Sequence, residues 1–422
     1  MIHNSAFDKY CYNDIYESMK SNTCILAEQG LHLHNSGRCN SCSDSLNYWS
    51  DEQNNPMDLT THSLEQIWNS KSRQDLVADL RNGVDNPSCE KCWQKERVGI
   101  ESKRQISNRQ WQLNDKQTPQ YIDLKWGNVC NLKCRHCNPW TSSKWLKEWY
   151  AVERNGVQEY RDYIAEFRST QKSYHSDNKE NFHNTFNQWF ADSTNIMLYG
   201  GEGMYVKDVQ RMFNHAVENG NSKNIDVYIN TNGTIYSEEW IELLSNFRSV
   251  RMAFSIDGVG DSFDYIRSGA NWNSVVENFN SYKQLKNMQV DIVATIFTLN
   301  VYNCVDILYN ISEAMKMPAV NFVYGPDWWD IRILPHDVKQ EIYKENTHKL
   351  MIKKSTMDPQ AFRMLEEQFE QVHRFLFDSV ENSTTKYEIM KNWIRTIDQS
   401  RGENFKDVFP EYNNLIKVYN DH

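Results

Sequence analysis

The sequence predicts an α/β fold organised on a parallel sheet, and three observations carry that reading. From Gln120 onward, short apolar runs alternate with longer amphipathic segments, the rhythm of strands joined by crossover helices. Six such runs occur: Tyr121 to Trp126, Ile196 to Tyr199, Ile225 to Ile229, Val250 to Ile256, Val290 to Ile296 and Val320 to Tyr324. The residues best suited to chemistry stand directly after several of these runs, at the strand ends where parallel folds gather their ligands.

The segments outside this alternation define further regions. Residues 1–116 hold paired cysteines in polar connecting sequence, with one helical pattern from Ser63 to about Arg81, and read as a small metal-stapled module. Between the first two runs lie roughly seventy residues, more than a crossover helix needs, so a helical insertion is expected at about 140–190. Beyond Trp328 the strand pattern stops. Segments such as Pro359 to Val372 keep the helical spacing of apolar residues, so 327–422 is expected to be a helical C-terminal region following a core of 117–326.

At 422 residues the chain has room for one large domain and a second module. No run reaches the apolar length of a bilayer span, and the first residues lack the basic start and apolar stretch of a signal peptide. A cytoplasmic protein without a membrane segment is therefore expected. Ten cysteines in a reducing compartment read as metal or redox ligands rather than disulfides. A net charge of −10 opposes binding to phosphate backbones, which makes nucleic acid a disfavoured partner. The 14 Trp, 22 Tyr and 18 Phe are first of all core material, and only secondarily lining for a peptide-sized cleft.

Directly after the first run comes Cys130-Asn-Leu-Lys-Cys134-Arg-His-Cys137, a C-x3-C-x2-C spacing in a βα loop. Thiolates select zinc or iron-sulfur clusters over hard ions. A closed zinc site wants four ligands, whereas three ligands on a four-iron cube leave one iron open. The loop resembles the signature of the radical S-adenosylmethionine (SAM) superfamily. That resemblance implies a partial (β/α)6 TIM-like barrel, and a 4Fe-4S cluster on Cys130, Cys134 and Cys137 whose open iron chelates the amine and carboxylate of SAM. It also implies reductive cleavage of SAM to a 5′-deoxyadenosyl radical that abstracts hydrogen from a substrate, with an external electron donor such as flavodoxin or ferredoxin. His136 stands where that superfamily usually has an aromatic residue near the adenine.

The later strand ends extend the resemblance. Gly200-Gly201-Glu202-Gly203 is similar to the superfamily's Gly-Gly-Glu motif, which binds the SAM amine, although the usual fourth residue is Pro. Glycines let backbone approach a ligand, and a carboxylate accepts hydrogen bonds from an amine. Thr231-Asn232-Gly233-Thr234 reads either as a β-turn or as a cofactor contact through Asn232. Ser255-Ile-Asp-Gly, with Arg267 twelve residues past the serine, is similar to a carboxylate-binding pair of superfamily members with twitch or SPASM extensions.

The N-terminal cysteines carry that extension. Cys24, Gly37, Cys42, then Ser63-Leu-Glu-Gln-Ile-Trp and a closing Cys89-Glu-Lys-Cys92 resemble a twitch module, the shortened SPASM type, from Cys24 to Arg104. The resemblance implies a second, auxiliary 4Fe-4S cluster on Cys24, Cys42, Cys89 and Cys92. Cys39 is the competing ligand for Cys42, and structural zinc is the competing metal. Such modules commonly follow the barrel, and here the module precedes it. To act with the strand-end motifs it is expected to cap the same barrel face. Cys11 and Cys304 have no partner at ligand spacing and read as buried free thiols. Relatives with this appendage often act on peptides or proteins, which makes a peptide the leading substrate class and a small metabolite the alternative. The rival readings are a non-catalytic protein with structural zinc sites and an iron-sulfur electron carrier.

Overall fold

The computed structural model describes residues 23–34, 36–97, 101–153, 158, 160–162, 164–165, 179–314, 319–323 and 325–419. Its strands are β1 (Gly30–Leu33), β2 (Cys39–Asn40), β3 (Tyr121–Lys125), β4 (Asn195–Tyr199), β5 (Asp226–Thr231), β6 (Ser249–Ser255), β7 (Met288–Ile296) and β8 (Ala319–Phe322). They form one sheet in the order β2-β1-β3-β4-β5-β6-β7-β8. The six expected runs are β3 to β8, each parallel to the next; Tyr324, at the end of the sixth, lies outside the described residues.

Residue alternation explains how the sheet divides its two faces. Ile122, Leu124, Ile196, Leu198, Val227 and Ile229 are buried on the face that the crossover helices cover. The helix Lys207–Glu218, for example, buries Val209, Met212, Phe213 and Ala216 at helical spacing against this layer. The opposite, inner face carries polar residues instead, among them Asp123, Lys125, Tyr199, Tyr228 and Arg251. Side chains that would weaken an ordinary core thus line the barrel interior.

C-terminal to β8 the described chain is helical, in the segments His336–Lys354, Pro359–Leu376 and Ser383–Arg401 and two short helices. Pro359–Leu376 starts on Asp358, whose carboxylate accepts from the backbone of Gln360 and Ala361, with Pro at the first helical position. It buries Phe362, Leu365, Phe369, Val372 and Leu376. In the expected insertion, helices cover Leu146–Glu153 and Lys179–Asp192, and most of the segment between them lies outside the described residues. Among the described residues no helix is long and apolar enough to cross a membrane.

The N-terminal segment differs from the expected appendage in two ways. β1 pairs in parallel with β3, from Gly30 beside Tyr121 to Leu33 beside Leu124, so the cysteine module extends the sheet itself. The module also lies toward the N-terminal ends of the strands, not at the C-terminal rim from which the Cys130 to Cys137 loop leaves β3. Cys42 and Lys103 face Tyr121, Asp123, Asn195 and Met197, and helix Lys103–Gln110 lies over the starts of β4 to β7. The register of β1 against β3 dictates this position, because the hairpin must follow β1 along the sheet edge.

Candidate active site

The loop after β3 is fixed before any ligand is considered. Lys133 and Arg135 donate backbone hydrogen bonds to Ser268 O and Ile266 O, while Ser142 Oγ and Trp145 Nε1 donate to Leu132 O and Cys134 O. These contacts fix the loop that carries Cys130, Cys134 and Cys137, and Cys134 to Cys137 close a turn in which the Cys137 backbone N–H donates to Cys134 O at 2.9 Å. Burial pushes the Cys130 thiol up to about 11. The hydrogen bond between Cys134 and Cys137 raises the first thiol and lowers the second. Metal binding would deprotonate all three.

The glycine-rich end of β4 docks on this loop. The Glu202 backbone N–H donates to Val129 O at 2.8 Å. A Cβ on Gly201, whose φ is +61°, would sit 2.5 Å from that same oxygen, so only glycine permits the approach. Glu202 is fully buried and accepts from the Asn232 backbone at 2.7 Å, Thr231 Oγ1 at 3.1 Å and the Met204 backbone at 3.4 Å. Burial outweighs these donors and lifts the carboxyl to about 7. Gly200 adopts φ +84°, with the Lys125 side chain lying over it.

Asn232 lies deeper in the site than its turn-like sequence suggested. Its backbone serves Glu202, while Nδ2 donates to Asn131 Oδ1 at 2.8 Å and approaches Cys130 Sγ at 3.8 Å. One residue thereby joins the β4 carboxylate to the cysteine loop. The strand-end position of Thr231-Asn232-Gly233 was the signal available in the sequence.

The Ser255 and Arg267 pair is arranged differently from the expectation. Ser255 ends β6 half-buried, whereas the Arg267 Nη2 is 2.6 Å from Asp257 Oδ2 and its Nη1 approaches Cys134 Sγ at 3.9 Å. Asp257 is therefore a residue that sequence reasoning left out: fully buried, it accepts from the Thr295 backbone and also faces His136 Nε2 at 3.6 Å. The His136 ring lies 5.0 Å from Phe297, and burial lowers its pKa. A single carboxylate thus orients both the arginine and the histidine of the cysteine loop.

The N-terminal cysteines form a second set. Cys24, Cys42 and Cys89 pack in one cluster with Leu76, Leu80 and Trp93. Burial pushes Cys24 to about 12 and Cys42 to about 11, and it raises Cys89 with added effect from Cys24, Cys42 and Cys92 nearby. Cys39 lies fully buried in the sheet core, raised by burial alone. Arg104 and Asn108 tie the set together by donating to Thr23 O, and Arg104 also pairs with Glu96 at 2.6 Å. Cys304 is a buried thiol donating to Asn346 Oδ1 at 3.4 Å, and Cys11 lies outside the described residues. Among the described residues no group of three or more His, Cys, Asp or Glu side chains is arranged to hold a single metal ion.

The architecture defines a parallel α/β barrel with three thiols on the loop after its first barrel strand, docked against a buried carboxylate. Residues 124–303 match the family model of the Radical SAM superfamily, a match that runs from within β3 to beyond β7. No curated protein matches the chain. Among solved structures, native anSMEcpe with bound AdoMet is 18% identical with a TM-score of 0.34, over 52% of this chain and 56% of that one. Streptococcus suis SuiB bound to the precursor peptide SuiA is 10% identical with a TM-score of 0.34, over 79% of this chain and 70% of that one. The chain spans little more than half the length of the anSMEcpe structures it matches.

Proposed function

We propose that this protein is a radical SAM enzyme, with Cys130, Cys134 and Cys137 holding a 4Fe-4S cluster, and that it acts on a peptide or protein. The observation that carries the reading is the docking of three thiols and one buried carboxylate through the Glu202 to Val129 hydrogen bond. The donor set suits the cluster: three thiols on one loop would hold three of its irons and leave the fourth without a protein sulfur, and the same loop docks on the Gly200-Gly201-Glu202 strand end. When bound, the reduced cluster supplies the electron that cleaves SAM to methionine and a 5′-deoxyadenosyl radical.

Each remaining task falls to the chain's own side chains. Glu202, ionised, accepts from the methionine amine while Asn232 and Thr231 hold it in place. Arg267 and Ser255 take the carboxylate, the arginine turning part of its fork from Asp257 to do so. His136, set by Asp257 and Phe297, packs near the adenine. Gly201 lets the backbone of the two strand ends close around the ligand.

Cys24, Cys42, Cys89 and Cys92 hold an auxiliary 4Fe-4S cluster in this reading, with Cys42 favoured over Cys39 because Cys42 shares the neighbourhood of the other three. A flavodoxin or ferredoxin is the expected electron donor, and the cytoplasm the expected location. The test is anaerobic incubation of reconstituted protein with SAM and a strong reductant. Formation of 5′-deoxyadenosine supports the reading, Cys134→Ala should abolish it, and its absence from a protein with an intact cluster would favour an electron carrier. Zinc without acid-labile sulfide would favour a structural protein.

A further inference from the structure

Between the two cysteine sets the inner face of the barrel carries a row of charged side chains. Lys125, near Cys137, and Asp123 project from the same face of β3. Beyond Asp123 stands Lys103, whose Nζ lies 3.7 Å from Asp123 Oδ2 and donates to Ser43 Oγ at 2.6 Å. Ser43 is the residue after Cys42, and Cys42, Lys103 and Asp123 line one small cavity, with Asp44 and Cys92 close by. Asp123 is itself buried, with His32 Nδ1 3.3 Å away on β1 and the His32 ring stacked on Tyr199. Neither carboxylate oxygen of Asp123 has a well-formed hydrogen bond. A partly buried lysine is best held beside an opposite charge, and this one has the Asp123 carboxylate at 3.7 Å, with Asp44 and the thiols of Cys42 and Cys92 nearby.

We propose that Lys103, held beside Cys42 by its hydrogen bond to Ser43, is the counter-cation of the four-cysteine site and that Asp123 opposes it from β3, so that the pair sets the reduction potential of the cluster. This rests on the reading that Cys24, Cys42, Cys89 and Cys92 hold an iron-sulfur cluster. A cube on four thiolates is negative in both states, and reduction adds one further negative charge. A partly buried ammonium nearby stabilises the reduced state more than the oxidised one, and a carboxylate nearby does the reverse. Lys103 and Asp123 therefore act with opposite signs on one site. Because Asp123 belongs to the barrel and Lys103 to the module, the potential also depends on how the two are docked.

Two opposite shifts are a signature that loss of packing does not imitate. The measurement is an EPR-monitored redox titration of the full chain with Cys130, Cys134 and Cys137 replaced by Ala, so that only the four-cysteine cluster gives a signal. In that background Lys103→Met is expected to move the midpoint to more negative potential, Lys103→Arg to leave it near the parent value, and Asp123→Asn to move it to more positive potential. Midpoints that stay in place, or that move in the same direction in Lys103→Met and Asp123→Asn, overturn the proposal. Should Lys103→Met not retain iron, the sign of the Asp123→Asn shift decides: a negative or absent shift overturns it. A background protein that binds no iron, or binds zinc without sulfide, defeats the underlying cluster reading before any potential is measured.

Discussion

Burial lifts Glu202 to about 7, so its charge changes close to neutrality. The folded chain favours the protonated form: the stability this group contributes is full below its ordinary value of 4.5 and is lost as pH rises through about 7. The loss amounts to roughly 3 kcal/mol. Glu202→Gln is expected to make the unliganded protein more stable above neutrality, measured by urea unfolding. The same substitution should weaken SAM binding at least about tenfold, since a charge-assisted hydrogen bond to the amine is lost. SAM affinity of the parent protein should fall as pH drops below 7, because an amine needs the ionised carboxylate; calorimetric titration across that range checks the sign. Gly201→Ala places a Cβ 2.5 Å from Val129 O at a positive φ, and should cost at least about 1 kcal/mol while lowering iron retention. At this scale the cysteines, Gly201 and Glu202 were legible because thiolate spacing and a paired glycine have few other uses. Asp257 was not, since its role comes from Arg267 and His136 meeting it in space.

The loop's rigidity comes from elements far away in sequence. Arg135, between Cys134 and His136, is fully buried and donates to Asp398 Oδ1 at 2.6 Å and to Glu403, with its guanidinium 3.6 Å over the Tyr265 ring. Asp398 also receives Tyr265 OH and Tyr419 OH, at 2.7 and 2.8 Å. On the other side of Cys134, Lys133 pairs with Glu148, which Arg401 reaches at 2.9 Å. The helix Ser383–Arg401 therefore grips the cysteine loop on both sides. Asp398→Ala leaves Arg135 with Glu403 as its remaining carboxylate and takes the acceptor from two tyrosine hydroxyls, so it is expected to cost about 2–3 kcal/mol. Chelator-driven iron loss should accelerate in that variant; a release rate equal to the parent's would mean the helix merely covers the loop. Strands β3 to β8 were readable from apolar alternation, and the C-terminal helices from their spacing. The grip was not readable, because Arg135 and Asp398 are more than two hundred and fifty residues apart and an isolated Arg or Asp looks like surface.

At the scale of the molecule, the two cysteine sets lie toward opposite ends of the strands: the three-cysteine loop at the C-terminal ends, the four-cysteine module, packed in its own cluster, toward the N-terminal ends. The sequence suggested two modules meeting at one face. Pairing of β1 with β3 sends the second module to the other end, a consequence of register that no local pattern encodes. The inner wall between them is polar, carrying Asp123, Lys125, Tyr199 and Tyr228. The functional assignment requires that one iron of the loop's cluster lack a protein sulfur and stand open beside Glu202. The most direct measurement is the EPR spectrum of the reduced cluster with and without SAM, in protein whose Cys24, Cys42, Cys89 and Cys92 are replaced by Ala. A changed spectrum on adding SAM, with the change lost in Glu202→Gln, is the expected result. An intact cluster whose spectrum is the same with and without SAM would contradict it.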